Sequence, residues 1–255
     1  MREKRTSHSG TVRLQSDQSE EKTSFLAQVA IFQHFSVQDL NAIEQSLTSL
    51  PCSPGRMLYR PGDVINTLFF VKSGHIQLYH LSTDGRKLIT NTLEAGACFG
   101  EQALCSPNTA TSFAEAVDAA ALYLLNKVDL DHLLLLHSAV SGALLQLMGQ
   151  RLTGLENQLV NTTFKSVTAR LADLLLQLAT EQEREVNGLV VNGFSHEELA
   201  DRLGVYRETV STALRELKDA RAIQLGRKHI VIHQPDLLAQ LAQTNSKSGL
   251  HRREH

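Results

Sequence analysis

Between Pro51 and Asn126, turn-forming residues interrupt the chain about every 8–12 residues, the spacing of short strands in a sandwich or barrel. Pro54-Gly55 and Pro61-Gly62-Asp63 read as turns, and Ser73-Gly74 ends the apolar run Leu68-Phe69-Phe70-Val71. Thr83-Asp84-Gly85-Arg86 separates the strand-like runs His75–Leu81 and Lys87–Leu93 and reads as a hairpin tip. Glu94-Ala95-Gly96 closes the next strand, and Ala119–Leu125 is a last apolar one. The stretch predicts a compact all-β unit, most simply a jelly roll.

Helical patterns flank it. From Phe25 to Leu50, apolar residues recur at helical spacing (Leu26, Val29 and Ala30, then Leu40, Ile43 and Leu47), predicting short helices. Residues 1–24 have almost nothing to bury and read as a flexible arm. Beyond Asn126 a long helical region opens. Val140, Leu144, Met148, Leu152, Leu155 and Leu159 follow one another at three- or four-residue steps, which keeps them on one stripe. A second copy of the chain is the simplest partner for such a seam, and burial against the β-domain is the alternative. Phe164–Thr180 is a further amphipathic helix, 181–188 a polar link, and Leu189–Val191 a short strand.

The segment Phe194–Arg221 carries the chemistry. Ser195 with Glu198 three residues on forms a capping box, and Gly204 ends the helix they start. Tyr206–Ala220 follows as a second helix, and Ile223–Leu225 and His229–Ile232 flank the basic turn Gly226-Arg227-Lys228. This is a helix-turn-helix with a hairpin wing. Leu199, Ala200, Leu203, Val205, Val210, Leu214 and Leu217 supply its core. Tyr206, Arg207, Ser211, Thr212, Arg215 and Lys218 supply the outer face of the second helix. Arg reads guanine edges in a bidentate way, while Ser, Thr and Lys reach phosphates or bases. A two-fold dimer would set two such helices about one DNA turn apart on a palindromic site.

The string Leu203-Gly204-Val205-Tyr206-Arg207-Glu208-Thr209-Val210-Ser211 resembles the recognition helix of the cyclic-AMP receptor/fumarate-nitrate regulator (CRP/FNR) family. The resemblance runs from about Phe32 to Ala242 and includes Pro61-Gly62-Asp63, Phe70-Val71-Lys72-Ser73-Gly74, Gly96 and Phe99-Gly100-Glu101. It implies an α+β chain: an N-terminal cyclic-nucleotide-binding-type β jelly roll, a long dimerisation helix and a C-terminal winged helix-turn-helix. The expected limits are a sensory domain at 25–126, a dimer helix at 127–163, a DNA-binding domain at 164–243 and a flexible tail at 244–255. The family implies a homodimeric regulator on inverted-repeat promoter DNA that often contacts RNA polymerase. By resemblance, Arg207 is the principal base reader and Glu208 accepts from a cytosine amino group. Where many members carry a second Arg one turn on, this chain has Thr212, which weakens one guanine contact; Arg215 could partly substitute.

The resemblance also places an effector pocket. Gly100 and Glu101 match the pair that meets a cyclic nucleotide's ribose, but the Arg-Ser pair for the phosphate falls on Thr111 and Ser112. A phosphate in a partly buried pocket needs a cation or several donors. The positions that meet adenine are Leu155 and Glu156, a residue that cannot bond the base and an added negative charge. These departures weigh against cyclic AMP. Arg151 and Glu156 resemble the pair of 2-oxoglutarate-sensing relatives, where Arg151 would clamp a dicarboxylate; an interhelical salt bridge is the blander reading. Haem-binding members carry a His in the segment equivalent to Cys98–Cys105, and none stands there. The reading therefore expects no resident cofactor.

Composition narrows the rest. The chain has three cysteines, Cys52, Cys98 and Cys105, in no metal-ligand spacing, which points to a reducing cytoplasm and to three buried small residues. His132–Gln150 lacks charged residues but holds too many polar ones for a spanning helix. No secretory signal opens the chain. His196-Glu197 lacks the second His of a zinc-protease helix, since Ala200 stands there, and no phosphate-binding Gly-rich loop occurs, so an enzyme is not expected. A ligand- or protein-binding dimer of the same fold, without promoter-specific activity, is the rival. The formal net charge of -2 seems to oppose DNA binding, yet from Arg202 to His229 there are seven bases against three acids.

Overall fold

A computed structural model describes residues 21–33, 35–182 and 189–243. Most of the expected arm, the 183–188 part of the polar link and the 244–255 tail lie outside these residues. The described residues fall into two compact units, one drawn from residues up to Tyr79 and from Asn91–Gln150, the other from His80–Thr90 and from Arg151 onward.

The residues between Thr48 and Asn126 are built around two sheets. Eight strands, β1 (Thr48–Cys52), β2 (Met57–Tyr59), β3 (Thr67–Ser73), β4 (Ile76–Leu81), β5 (Lys87–Leu93), β6 (Cys98–Phe99), β7 (Phe113–Ala116) and β8 (Ala120–Asn126), form two four-stranded sheets. Their orders are β1-β8-β3-β6 and β2-β7-β4-β5. Alternate residues of β3 and β8 face opposite ways, as the two-residue period of a strand requires. Val71 and Leu122 join the cluster between the sheets, where Phe69 stacks on Phe99 at 4.9 Å. Phe70 and Tyr123 join a second cluster with Leu26, Phe32, Leu40 and Ile43 from the preceding segment. That segment holds α1 (Val37–Ser46), started by a capping box of Ser36 and Asp39. The expected helical stretch to Leu50 is cut short, because Thr48–Cys52 pairs with β8 instead.

The region 127–163, expected as one helix, is two. α2 (Lys127–Leu136) and α3 (Ser138–Phe164) meet at a bend of 112°. His137 leaves the helical conformation at φ -127 and ψ 93, and its ring lies 5.3 Å from Phe35. The bend lets Leu130 and Leu133 of α2 and Val140 and Leu144 of α3 enter the same core. The apolar stripe therefore divides. Val140 and Leu144 are buried within the chain, whereas Leu152, Leu155 and Leu159 are exposed. No single described helix is long and apolar enough to cross a membrane.

The cysteines depart from expectation at one position. Cys52 and Cys98 are buried, but Cys105 is exposed. It ends the 3-10 turn Glu101–Leu104 in a loop, outside any strand, so no sheet covers it.

The second unit packs α4 (Val167–Glu181), α5 (His196–Leu203), α6 (Arg207–Asp219) and α7 (Pro235–Ala242) around one core, with Leu171, Leu175, Val210 and Leu214 at its centre. Strands β9 (Leu189–Asn192), β10 (Ile223–Gly226) and β11 (His229–Ile232) form a sheet in the order β10-β11-β9.

Candidate nucleic-acid interface

The helix pair forms as its sequence requires. The Ser195 hydroxyl accepts from the Glu198 N–H at 3.2 Å, and the Glu198 carboxylate accepts from the Ser195 N–H at 2.6 Å. Two N–H groups that the helix leaves without partners are thereby satisfied. Burial opposes ionisation of Glu198, but the Ser195 bonds and the nearby Lys228 and Arg202 outweigh it and hold its carboxyl below the ordinary value. Gly204 closes α5 at φ 66, a left-handed conformation that costs glycine no side-chain clash. The half-buried Arg170 of α4 donates from its guanidinium to the Leu203 carbonyl, covering one of the free carbonyls at that helix end.

α6 then divides into two faces. Val210, Ala213, Leu214 and Leu217 are buried, following the three-to-four residue repeat of a helix. Tyr206, Arg207, Glu208, Thr212, Arg215 and Lys218 are exposed, so most of the residues singled out from the sequence share one accessible surface. Ser211 is different. It is half-buried, its hydroxyl donates to the Arg207 carbonyl at 3.0 Å, and it lies 2.9 Å from Nδ1 of His196. It ties α6 to α5. The Thr212 hydroxyl donates to the Glu208 carbonyl at 3.0 Å, leaving its methyl and acceptor lone pairs on the surface.

The wing adds residues that the sequence reading noted as a basic turn but did not assign to the interface. Arg227 and Lys228 form its tip, and Lys228 adopts a φ of 52. Together with Arg207, His196 and His229 they line a groove of about 320 Å³, with Glu197 as its acidic member. His229 is held by Asn192, 2.6 Å from Nδ1 to Oδ1. His196 could have been found from its place as the first residue after a helix cap, the position where N–H groups face outward. A basic groove beside an exposed helix face suits a polyanion, because phosphate contacts position a protein and base contacts specify the sequence.

The expected pocket residues are placed as follows. Gly100 stands at φ 89 before the 3-10 turn that Glu101 opens, and a Cβ on it would lie 2.6 Å from the Thr67 carbonyl oxygen. On the following segment Ser112 is buried and Thr111 is exposed. In the other unit, Arg151 is half-buried on α3, while Leu155 and Glu156 are exposed. Among the described residues no group of three or more His, Cys, Asp or Glu side chains is placed to hold a metal ion.

Comparison with known proteins agrees with both units. The cyclic nucleotide-binding domain family matches residues 50–137, and the Crp-like helix-turn-helix domain family matches residues 169–241. The CRP-like cAMP-activated global transcriptional regulator of Mycobacterium tuberculosis is 26% identical over 219 residues, covering 85% of this chain and 98% of that protein. The cyclic AMP receptor protein of Thermus thermophilus is 28% identical over 188 residues, covering 74% of this chain and 85% of that one. Among solved structures, a transcriptional regulator from Eubacterium rectale superposes with a TM-score of 0.70 at 20% identity, covering 85% of this chain and 99% of that one.

Proposed function

The chain belongs to the CRP/FNR family of DNA-binding transcription regulators, and from that premise we propose that it acts as a homodimer on inverted-repeat promoter DNA, without cyclic AMP as its ordinary effector. The exposed face of α6 carries this reading. Arg207 offers a planar fork to a guanine edge, and Glu208 beside it offers an acceptor to a cytosine amino group. Thr212 contributes a methyl and lone pairs in place of a second fork, so the preferred half-site differs from one read by two arginines. Arg215, Lys218, Arg227 and Lys228 add phosphate contacts.

The dimer rests on α3. Leu152, Leu155 and Leu159 are 59%, 56% and 68% exposed at helical spacing, and a second copy would cover them. The effector reading rests on Thr111. The two named relatives are cyclic AMP-responsive by their names, but the position that would hold a cation for the phosphate is a neutral, exposed threonine here. A dicarboxylate of the 2-oxoglutarate type, held by Arg151, is the second ligand to test. RNA polymerase is the further protein partner, and the working site is the cytoplasm.

Selection of bound duplexes from a random-sequence pool by the full chain tests the reading directly. The expected product is a symmetric inverted repeat, bound by a species of dimer mass in sedimentation. Arg207→Ala should weaken binding to it and relax the choice of base at one position of each half-site. Equal binding by the variant would refute the assignment. Thermal shifts with cyclic AMP, cyclic GMP and 2-oxoglutarate separate the effector alternatives, and a clear stabilisation by cyclic AMP would overturn the pocket reading.

A further inference from the structure

The hairpin turn Thr83–Arg86 lies against Tyr206, the residue just before the recognition helix α6, within the same compact unit. The turn is closed on itself: the Ser82 N–H donates to the Arg86 carbonyl at 2.9 Å, and the Gly85 N–H to the Ser82 carbonyl at 3.0 Å. The Asp84 carboxylate accepts from the Ser82 hydroxyl, from Nε of Arg86 at 3.0 Å and from the Tyr206 hydroxyl at 2.6 Å. The Arg86 guanidinium lies over the Tyr206 ring, 5.1 Å from its centroid. Leu88 packs on Gly204, where an added Cβ would come within 2.9 Å of Leu88 Cδ1. The bonds from Ser82, Tyr206 and Arg86 hold the Asp84 carboxyl well below the usual carboxylate range, so it is an anion at neutral pH.

A tyrosine hydroxyl has one proton to donate, and Asp84 accepts it. Tyr206 also stands at the N-cap position of the 13-residue α6, without a capping bond from its side chain, at the end where the helix dipole attracts negative charge. A DNA phosphate engaging Tyr206 would need the same proton and the same place. Two anions cannot share them.

We propose that the Asp84 turn is a latch on the recognition helix, holding Tyr206 where a phosphate would stand, and that duplex DNA must displace it. The latch rests on the reading of Tyr206 as a DNA-facing residue. Leu88 on Gly204 and Arg86 on the tyrosine ring give it a packed base, so that it resists opening through more than one hydrogen bond.

A double-mutant cycle on the full chain tests it, with the duplex selected by the wild-type protein as probe and fluorescence anisotropy as readout. Asp84→Ala should tighten binding by about two- to tenfold, the worth of one net hydrogen bond. In a Tyr206→Phe background the same change should give no further gain. An equal gain in both backgrounds would reduce the effect to one removed negative charge and overturn the latch. Unchanged or weaker binding by Asp84→Ala would overturn it too. In the absence of DNA, amide exchange at residues 204–210 should be faster in Asp84→Ala than in the wild type; unchanged exchange counts against the latch. Arg207→Ala, measured alongside, separates the two failures. Lost binding there without a gain at Asp84 sinks only the latch, whereas intact binding at Arg207→Ala sinks the DNA-facing reading beneath it.

Discussion

The recognition helix and the Gly100–Ser112 segment keep different parts of one family pattern. On α6, both the backbone scaffold and the side chains for a polyanion are present: the glycine at Gly204, the buried Val210 and Leu214, and the exposed Arg207, Arg215 and Lys218. On the roll, the backbone part is equally strict, with Gly100 at φ 89 against the Thr67 carbonyl, yet the residue that the proposed reading sets at the phosphate's cation position is the exposed Thr111. A fold depends on the backbone part. A ligand depends on the charge. The two can separate in one chain, and on the function proposed above the DNA face keeps both while the pocket keeps the first.

The comparison can be broken at either end. Arg207→Ala should have the largest effect, because a lost bidentate base contact costs about 1–3 kcal/mol at each half-site and a dimer loses two. Binding to the selected inverted repeat checks it. Gly100→Ala should destabilise the roll by roughly 2–3 kcal/mol, since it combines a left-handed φ with a backbone contact that cannot give way. Chemical denaturation measures that loss, and a variant of wild-type stability would show that the turn is not strict after all. Thr111→Arg asks whether charge alone separates the pocket from cyclic AMP binding. The nucleotide should raise the melting temperature of this variant and leave the wild type unmoved, with a gain of up to about 2.7 kcal/mol at a hundredfold excess over Kd. The smallest effect belongs to Ser195→Ala, which removes half of a capping box and should cost about 1 kcal/mol of stability without changing the base preference.

Legibility from sequence followed the range of the interactions involved. The α5 cap, its closing glycine and the buried face of α6 are local patterns, written within a few residues of one another, and all three are found in the structure. The bounds of β4, β5 and β8 fall within a residue of the runs set by turn residues for the same reason, whereas β1 falls partly on residues read as helical. The break at His137 had no local signal. Nothing in Leu133–Val140 forbids a continuous helix, and the bend arises because Phe35 and a core shared by Leu130 and Val140 meet the helix from distant parts of the chain. Ser211 was legible as a surface residue of α6, but only its approach to His196, across the turn, assigned it to the junction of the two helices. The exposure of Cys105 likewise depended on a 3-10 turn that composition does not reveal.

The sequence by itself determined the two kinds of domain, their order along the chain and the basic stretch from Arg202 to His229 hidden within a net charge of -2. These are properties of residue type and short spacing, which act before any long-range contact exists. Tertiary structure alone decided which half of the α3 stripe is core and which is exposed, which basic residues share the groove with Arg207, and that Asp84 reaches Tyr206. Each of these brings together residues far apart in the chain, and periodicity carries no record of such a meeting.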